Sequence, residues 1–200
     1  MPGDFQPNLR LYTAAMARQN PVGQASFEEY LELEARSLER HEFVDGYLFA
    51  MAGGSANHNR IVSRLNRLVF DAAEASGCEL FIAEMILRTP NGRGYYPDLF
   101  LCCEQPDGKA RYKNLACWII EVLSETTEAI DRGEKLQNYT TIPTLKSYVL
   151  VSQDKPLVEL FERLENSSWR YTSLGPEGIL RLPCLELNLE VSQIYQGVRF

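Results

Sequence analysis

Residues Ala116-Cys117-Trp118-Ile119-Ile120-Glu121-Val122-Leu123 are almost continuously apolar. A strand with one wet face alternates apolar and polar side chains, so an unbroken run of this length fits a central strand covered on both faces. Glu121 is the exception, because a carboxylate is costly to bury unless it is hydrogen-bonded or paired with a cation. Downstream, the span 127–139 places Ile130 and Leu136 at helical spacing despite an unfavourable Gly133, and the span 145–152 is a second apolar strand. Strand, helix and strand together form a β-α-β unit, whose crossover sets its two strands parallel. The expected class is therefore α/β in the broad sense, an α+β mixed sheet flanked by helices.

Working outward from that unit, residues 79–88 and 95–103 read as two strands joined by the turn Pro90-Asn91-Gly92-Arg93-Gly94, close enough to pair antiparallel. Ser26-Phe27-Glu28-Glu29 is a capping box that opens a short helix through about Glu34. Aromatic residues from Phe43 to Met51 surround Asp45-Gly46, the signature of an interrupted strand or a tight hairpin. From His58 to about Ser76 the positions Ile61, Leu65, Leu68, Val69 and Ala72 recur at three and four, a helix packed on a core, and Gly77 can close its last turn. Toward the C-terminus, spans 157–164 and 169–174 form a hairpin across Glu165-Asn166-Ser167-Ser168. A last strand over 185–189 precedes Val191, Ile194 and Tyr195. Residues 1–25 are expected to be an N-terminal arm, and 26–200 a single domain.

No stretch reaches eighteen consecutive apolar residues, and the first twenty lack the pattern of a secretory signal, so a cytoplasmic protein with no membrane span is expected. The five cysteines form an odd set without a CxxC pair and read as buried thiols in a reducing compartment. A formal net charge of −7 gives a nucleic-acid backbone no global attraction, so a nucleic-acid partner would have to be met by a local basic patch.

Asp98 poses the same problem as Glu121, standing beside Tyr96, Phe100 and Cys102 on one strand face by two-residue alternation. Two carboxylates on neighbouring strands can converge on one point and offer hard oxygen ligands suited to Mg²⁺ or Mn²⁺. Asp131 and Lys135 share one helix face directly after the Glu121 strand. They are either a surface ion pair or, beside the strand acids, a lysine able to orient water or hold a phosphate. Glu42, which follows His41 just before the Phe43 strand, can complete the acidic cluster from a neighbouring helix end. His58 opens a helix beside Gly53-Gly54, either as a cap or as a proton-transfer or phosphate-binding group. Neither a G-x-x-x-x-G-K-[ST] loop, a G-x-S-x-G serine nor an H-E-x-x-H pair is present, which removes the usual support for nucleotide-loop, esterase and zinc-protease readings.

The ordered set His41-Glu42-x-x-Asp45-Gly46, Met51-x-Gly53 with His58, Tyr96-Pro97-Asp98, Glu121-Val122-Leu123-Ser124-x-x-Thr127 and Asp131-Arg132-x-x-Lys135-x-x-x-Tyr139 resembles the Uma2 family. That family is a large group of endonucleases with the restriction-endonuclease-like PD-(D/E)xK fold, abundant in cyanobacteria. The resemblance implies a restriction-endonuclease-like core and a Mg²⁺- or Mn²⁺-dependent endonuclease that hydrolyses DNA as a homodimer. It places metal-binding acids on Asp98, Glu121 and Glu42, and catalytic roles on Asp98, Glu121, Lys135, Glu42 and His58. The lysine expected two residues after the second acid is here Leu123, and the resemblance hands that role to Lys135 on the following helix. The alternatives are a non-catalytic interaction or regulatory domain that retains the nuclease fold, and hydrolysis of a smaller phosphate ester.

Overall fold

The computed structural model describes residue 18 and residues 20–200. Most of the expected N-terminal arm, residues 1–17 and 19, lies outside the described residues. Strand β1 (Gly23–Gln24) is followed by helix α1 (Phe27–Glu34), whose N-cap Ser26 and Glu29 complete the capping box in both directions. Strands β2 (His41–Val44) and β3 (Tyr47–Ala50) form a hairpin in which Asp45 and Gly46 both have positive φ, 52° and 87°, as a two-residue type I′ turn requires. Helix α2 (Ala56–Ser76) ends on Gly77 in the left-handed region.

Strands β4 (Glu79–Ile82) and β5 (Ile86–Arg88) occupy the first expected strand, and β6 (Gly94–Tyr95) and β7 (Leu99–Cys102) the second. Each expected strand is therefore broken in two, and the halves belong to different sheets. The cause is local. Pro97 has no N–H to give to a ladder, and Ala83, at φ 54°, turns the facing strand at the same level, with its N–H against the carbonyls of Pro97 and Asp98. Asp98 thus stands at a bend where the chain passes from one sheet to the other.

After β8 (Tyr112–Lys113) come β9 (Trp118–Leu123), a helix, and β10 (Ser147–Ser152), which pairs parallel with β9 as the crossover requires. The helix is α-helical over Glu128–Ile130, π-helical over Asp131–Lys135, and α-helical again over Leu136–Tyr139. Strands β11 (Val158–Arg163) and β12 (Trp169–Leu174) complete a six-stranded mixed sheet in the order β12-β11-β10-β9-β7-β4. A second sheet runs β1-β3-β2-β6-β5-β8, and β13 (Ile179–Leu182) pairs with β14 (Leu187–Glu190) ahead of a short helix, Val191–Ile194.

Alternation along β9 divides its side chains between two cores. Trp118, Ile120 and Val122 pack with Ile61, Leu65 and Val69 of α2, while Ile119 and Leu123 pack with Tyr139, Tyr148 and Leu150 beneath the π-bulged helix. Glu121 shares the face of Ile119 and Leu123, so the alternation itself delivers its carboxylate to that helix. The result is a central mixed sheet flanked by helices, consistent with a restriction-endonuclease-like core.

The cysteines differ from the expectation of buried thiols: Cys78 is bonded to Cys103 and Cys117 to Cys184, leaving Cys102 free and buried. The register of β4 on β7 pairs Glu79 with Cys102, which sets Cys78 opposite Cys103 one position further on. Spacing along the chain carried no sign of either pairing.

Candidate functional site

Glu42, Asp98, Glu121, Lys135 and His58 line one cavity of about 150 Å³, together with Arg18, Asp131, Gly53, Gly54 and hydroxyl groups after β9. Each arrives by a different route. Glu42 comes from β2, Asp98 from the Pro97 bend, Glu121 from β9, His58 from the first turn of α2, and Asp131 and Lys135 from the π-helical stretch.

Lys135 holds the centre. Its Nζ lies 3.1 Å from Glu42 Oε1, 3.0 Å from Glu121 Oε1 and 3.0 Å from Asp131 Oδ1. Glu121 is filled by donors, because Oε1 also accepts from Tyr139 Oη at 2.9 Å and Oε2 from the Asp98 N–H at 3.2 Å. Asp131 Oδ1 is buried and, despite the short distance to Lys135, makes no well-directed hydrogen bond among the described residues. The other oxygen of Glu42 meets Arg18 Nη1 at 2.9 Å.

The Asp98 carboxylate has partners other than Lys135. Its Oδ2 accepts the Val122 N–H at 2.7 Å and lies 3.1 Å from His58 Nε2, so Asp98 and Glu121 each clasp the other strand's backbone. His58 is seated by two contacts: its N–H is capped by Ser55 Oγ at 3.1 Å, and its ring lies against Gly54. A Cβ at Gly54 would stand 2.8 Å from His58 Nδ1, so this glycine is needed for close approach.

The electrostatics follow the packing. Burial pushes Glu121 up to about 8, Lys135 opposes it, and Asp131, Asp98 and Glu42 push the same way as burial. Burial also raises Asp131, against Lys135. Glu42 is held below its ordinary range, because Lys135 and Arg18 outweigh a large burial penalty. Lys135 is held far above the ordinary lysine value, the three acids outweighing its burial. Burial lowers His58, but Asp98 and then Asp131 more than restore it and leave it raised.

This arrangement overturns the metal expectation. Among the described residues, no group of three or more His, Cys, Asp or Glu side chains is placed to hold a metal ion. The point at which Glu42, Glu121 and Asp131 converge is taken by an ammonium, and Asp98 is directed at a histidine and a backbone amide instead. A divalent ion would have to expel a buried, triply paired lysine. The residues do not fit Mg²⁺ or Mn²⁺ ligation by Asp98, Glu121 and Glu42, and the expected Mg²⁺-dependent endonuclease chemistry falls with that ligation.

Reading the residues also missed three members of the site. Arg18 forks onto Glu134 through Nε and Nη2, at 2.9 and 2.8 Å, and Tyr95 Oη donates to Glu134 at 2.8 Å. Tyr139 was visible only as the end of a motif. Nothing in the stretch around Arg18 marks it, and Glu134 stands beside Lys135 with no periodicity to separate it from a surface acid.

A mixed sheet with acids on neighbouring strands, and a lysine on the helix that follows the second, defines a protein of the restriction-endonuclease-like, PD-(D/E)xK type of fold. The chain belongs to the Uma2 family: the family model described as "Putative restriction endonuclease" matches residues 27–193. Two relatives come from one cyanobacterial strain. "Uncharacterized protein slr1290" of Synechocystis sp. (strain ATCC 27184 / PCC 6803 / Kazusa) is 34% identical over 182 residues, covering 90% of this chain and 96% of its own. "Uncharacterized protein sll1609" of the same strain is 33% identical over 153 residues, covering 74% and 86%. A crystal structure described as "a putative nuclease belonging to DUF820", from Anabaena variabilis ATCC 29413, superposes with a TM-score of 0.67 at 16% identity, over 87% of this chain and 99% of that one. At that identity the likeness concerns the fold alone.

Proposed function

We propose that this chain is a non-catalytic interaction domain on a nuclease fold. Lys135 carries the reading: its ammonium closes the point where three acids meet, which makes the cluster a structural and recognition element. The cavity supports it as well. Ligand pockets for drug-sized molecules run to roughly 300–1,000 Å³, whereas about 150 Å³ suits one side chain or a fragment of similar size.

In this reading Glu42, Asp98, Glu121, Lys135 and His58 shape and charge the cavity, within one domain spanning 26–200. Nucleic acid is the first partner class to test, given the family, and it would be met through local basic groups because the whole chain carries −7. Assembly as a homodimer belongs to the same reading and is checked by light scattering. So does a cytoplasmic location. Among the described residues no helix is long and apolar enough to cross a membrane, and in a reducing compartment the four paired cysteines would be thiols.

The test is incubation of the purified protein with duplex and single-stranded DNA and RNA plus Mg²⁺ or Mn²⁺, with retention and cleavage followed on the same gels. Retention without cleavage is expected. Metal-dependent cleavage that disappears in Asp98→Ala would overturn the proposal.

A further inference from the structure

Arg18 enters the cavity from outside the family-matched segment, which begins at residue 27, and its partner Glu134 lies 116 residues away. The contact uses all three guanidinium nitrogens. Nε and Nη2 lie 2.9 and 2.8 Å from the two oxygens of Glu134, Nη1 lies 2.9 Å from Glu42, and the guanidinium carbon sits 4.8 Å from the centre of the Phe49 ring and 5.9 Å from that of Tyr95. The Arg18 side chain is only 10% exposed in this position.

Each wall matches the planar shape of the group. A carboxylate offers two parallel acceptors to the fork, a second acid takes the third nitrogen, and an aromatic face covers the plane. An ammonium is a compact point charge and cannot meet all three at once. The walls are also fixed without Arg18, since Tyr95 Oη holds Glu134 and Lys135 Nζ holds the other oxygen of Glu42. Without Arg18, Glu42 Oε2 and the fork of Glu134 would be left as directed acceptors in a half-closed cleft.

We propose that Glu42, Glu134, Phe49 and Tyr95 form a guanidinium receptor, closed in cis by Arg18 and able to take an arginine side chain from another polypeptide when Arg18 withdraws. The inference rests on the preceding one in taking this cavity as a binding site, and it adds the chemistry of the occupant. A tethered group competes at an effective concentration of roughly millimolar. The intact chain should therefore conceal the receptor from free ligands, and loss of Arg18 should reveal it.

The experiment titrates the full chain and its Arg18→Ala variant with Nα-acetyl-arginine methylamide, using Nα-acetyl-lysine methylamide as an equal-charge control. Calorimetry and melting temperature are both read. The arginine probe should bind Arg18→Ala saturably and raise its melting temperature, with affinity on the order of tenfold or more above that for the unaltered chain, where Arg18 competes. The lysine probe should do neither, and adding Glu134→Gln to Arg18→Ala should abolish the response. Equal response to the two probes, or an unaltered chain responding as strongly as the variant, would overturn the proposal. If Arg18→Ala does not fold, Arg18→Lys keeps the charge without the fork and takes its place in the same titration. Metal-dependent DNA cleavage would defeat the interaction-domain reading without touching the probe result. Failure to discriminate the probes would defeat the receptor and leave that reading standing.

Discussion

Glu121, Lys135 and Gly54 carry the consequences that a single substitution can expose. With its pKa raised from 4.5 to about 8 in the folded protein, Glu121 binds its proton more tightly folded than unfolded. Its contribution to stability is fully present below about 4.5 and is lost as pH rises through about 8. Glu42 shifts downward, so its contribution is lost only as pH falls below its unfolded value, outside that window. Glu121→Gln should therefore flatten the decline in urea stability between pH 5 and pH 8. Some slope should remain, because Asp131 and His58 are also raised and act in the same sense, His58 above about 6.5. Parallel profiles for the two proteins would refute this assignment. Lys135→Met leaves three acidic side chains at a point 7% exposed without their shared cation, and breaking a buried pair from one side costs roughly 3–5 kcal/mol. The urea midpoint should fall accordingly, and an unmoved midpoint would mean that the ammonium is not what holds the acids together. Gly54→Ala places a methyl group 2.8 Å from the His58 ring. It should displace the imidazole and bring the His58 titration seen by NMR back toward the ordinary value near 6.5.

Elements were legible wherever one rule governed them. The α2 stripe, the Ser26 capping box, the Asp45-Gly46 turn and the parallel β9–β10 pair each follow from periodicity or turn chemistry, and each stands where the sequence placed it. The breaks at Ala83 and Pro97 escaped because alternation was carried through a proline and an alanine with positive φ, so two sheets were read as one hairpin. In the site, the carboxylates were visible as isolated charges in apolar runs. Their occupancy was not, because it depends on where a lysine on a π-helical stretch and an arginine from the far end of the chain come to rest. A π-bulge changes which residues share a face, and no sequence period announces it. The disulfides lie in the same class of long-range fact. Closing loops of 67 and 25 residues constrains the unfolded chain by roughly 4 and 3.5 kcal/mol on the loop-entropy scale. The Cys117→Ser/Cys184→Ser protein should therefore melt well below the oxidised parent. Equal melting temperatures under oxidising conditions would show that this bond does not form in solution.

At the scale of the whole molecule, a nuclease fold has been kept while the point that a metal would occupy is filled from within. Lys135 neutralises the acids from the adjoining helix, and Arg18 does so from the N-terminal side. In the reading proposed here fold and function separate, since the sheet positions the acids while the cations decide what they can bind. The most direct test of that account is a calorimetric titration of the 200-residue chain with Mn²⁺ at neutral pH, with Asp98→Ala in parallel. The account predicts no saturable heat from either protein. Saturable Mn²⁺ binding by the unaltered chain that vanishes in Asp98→Ala would contradict it.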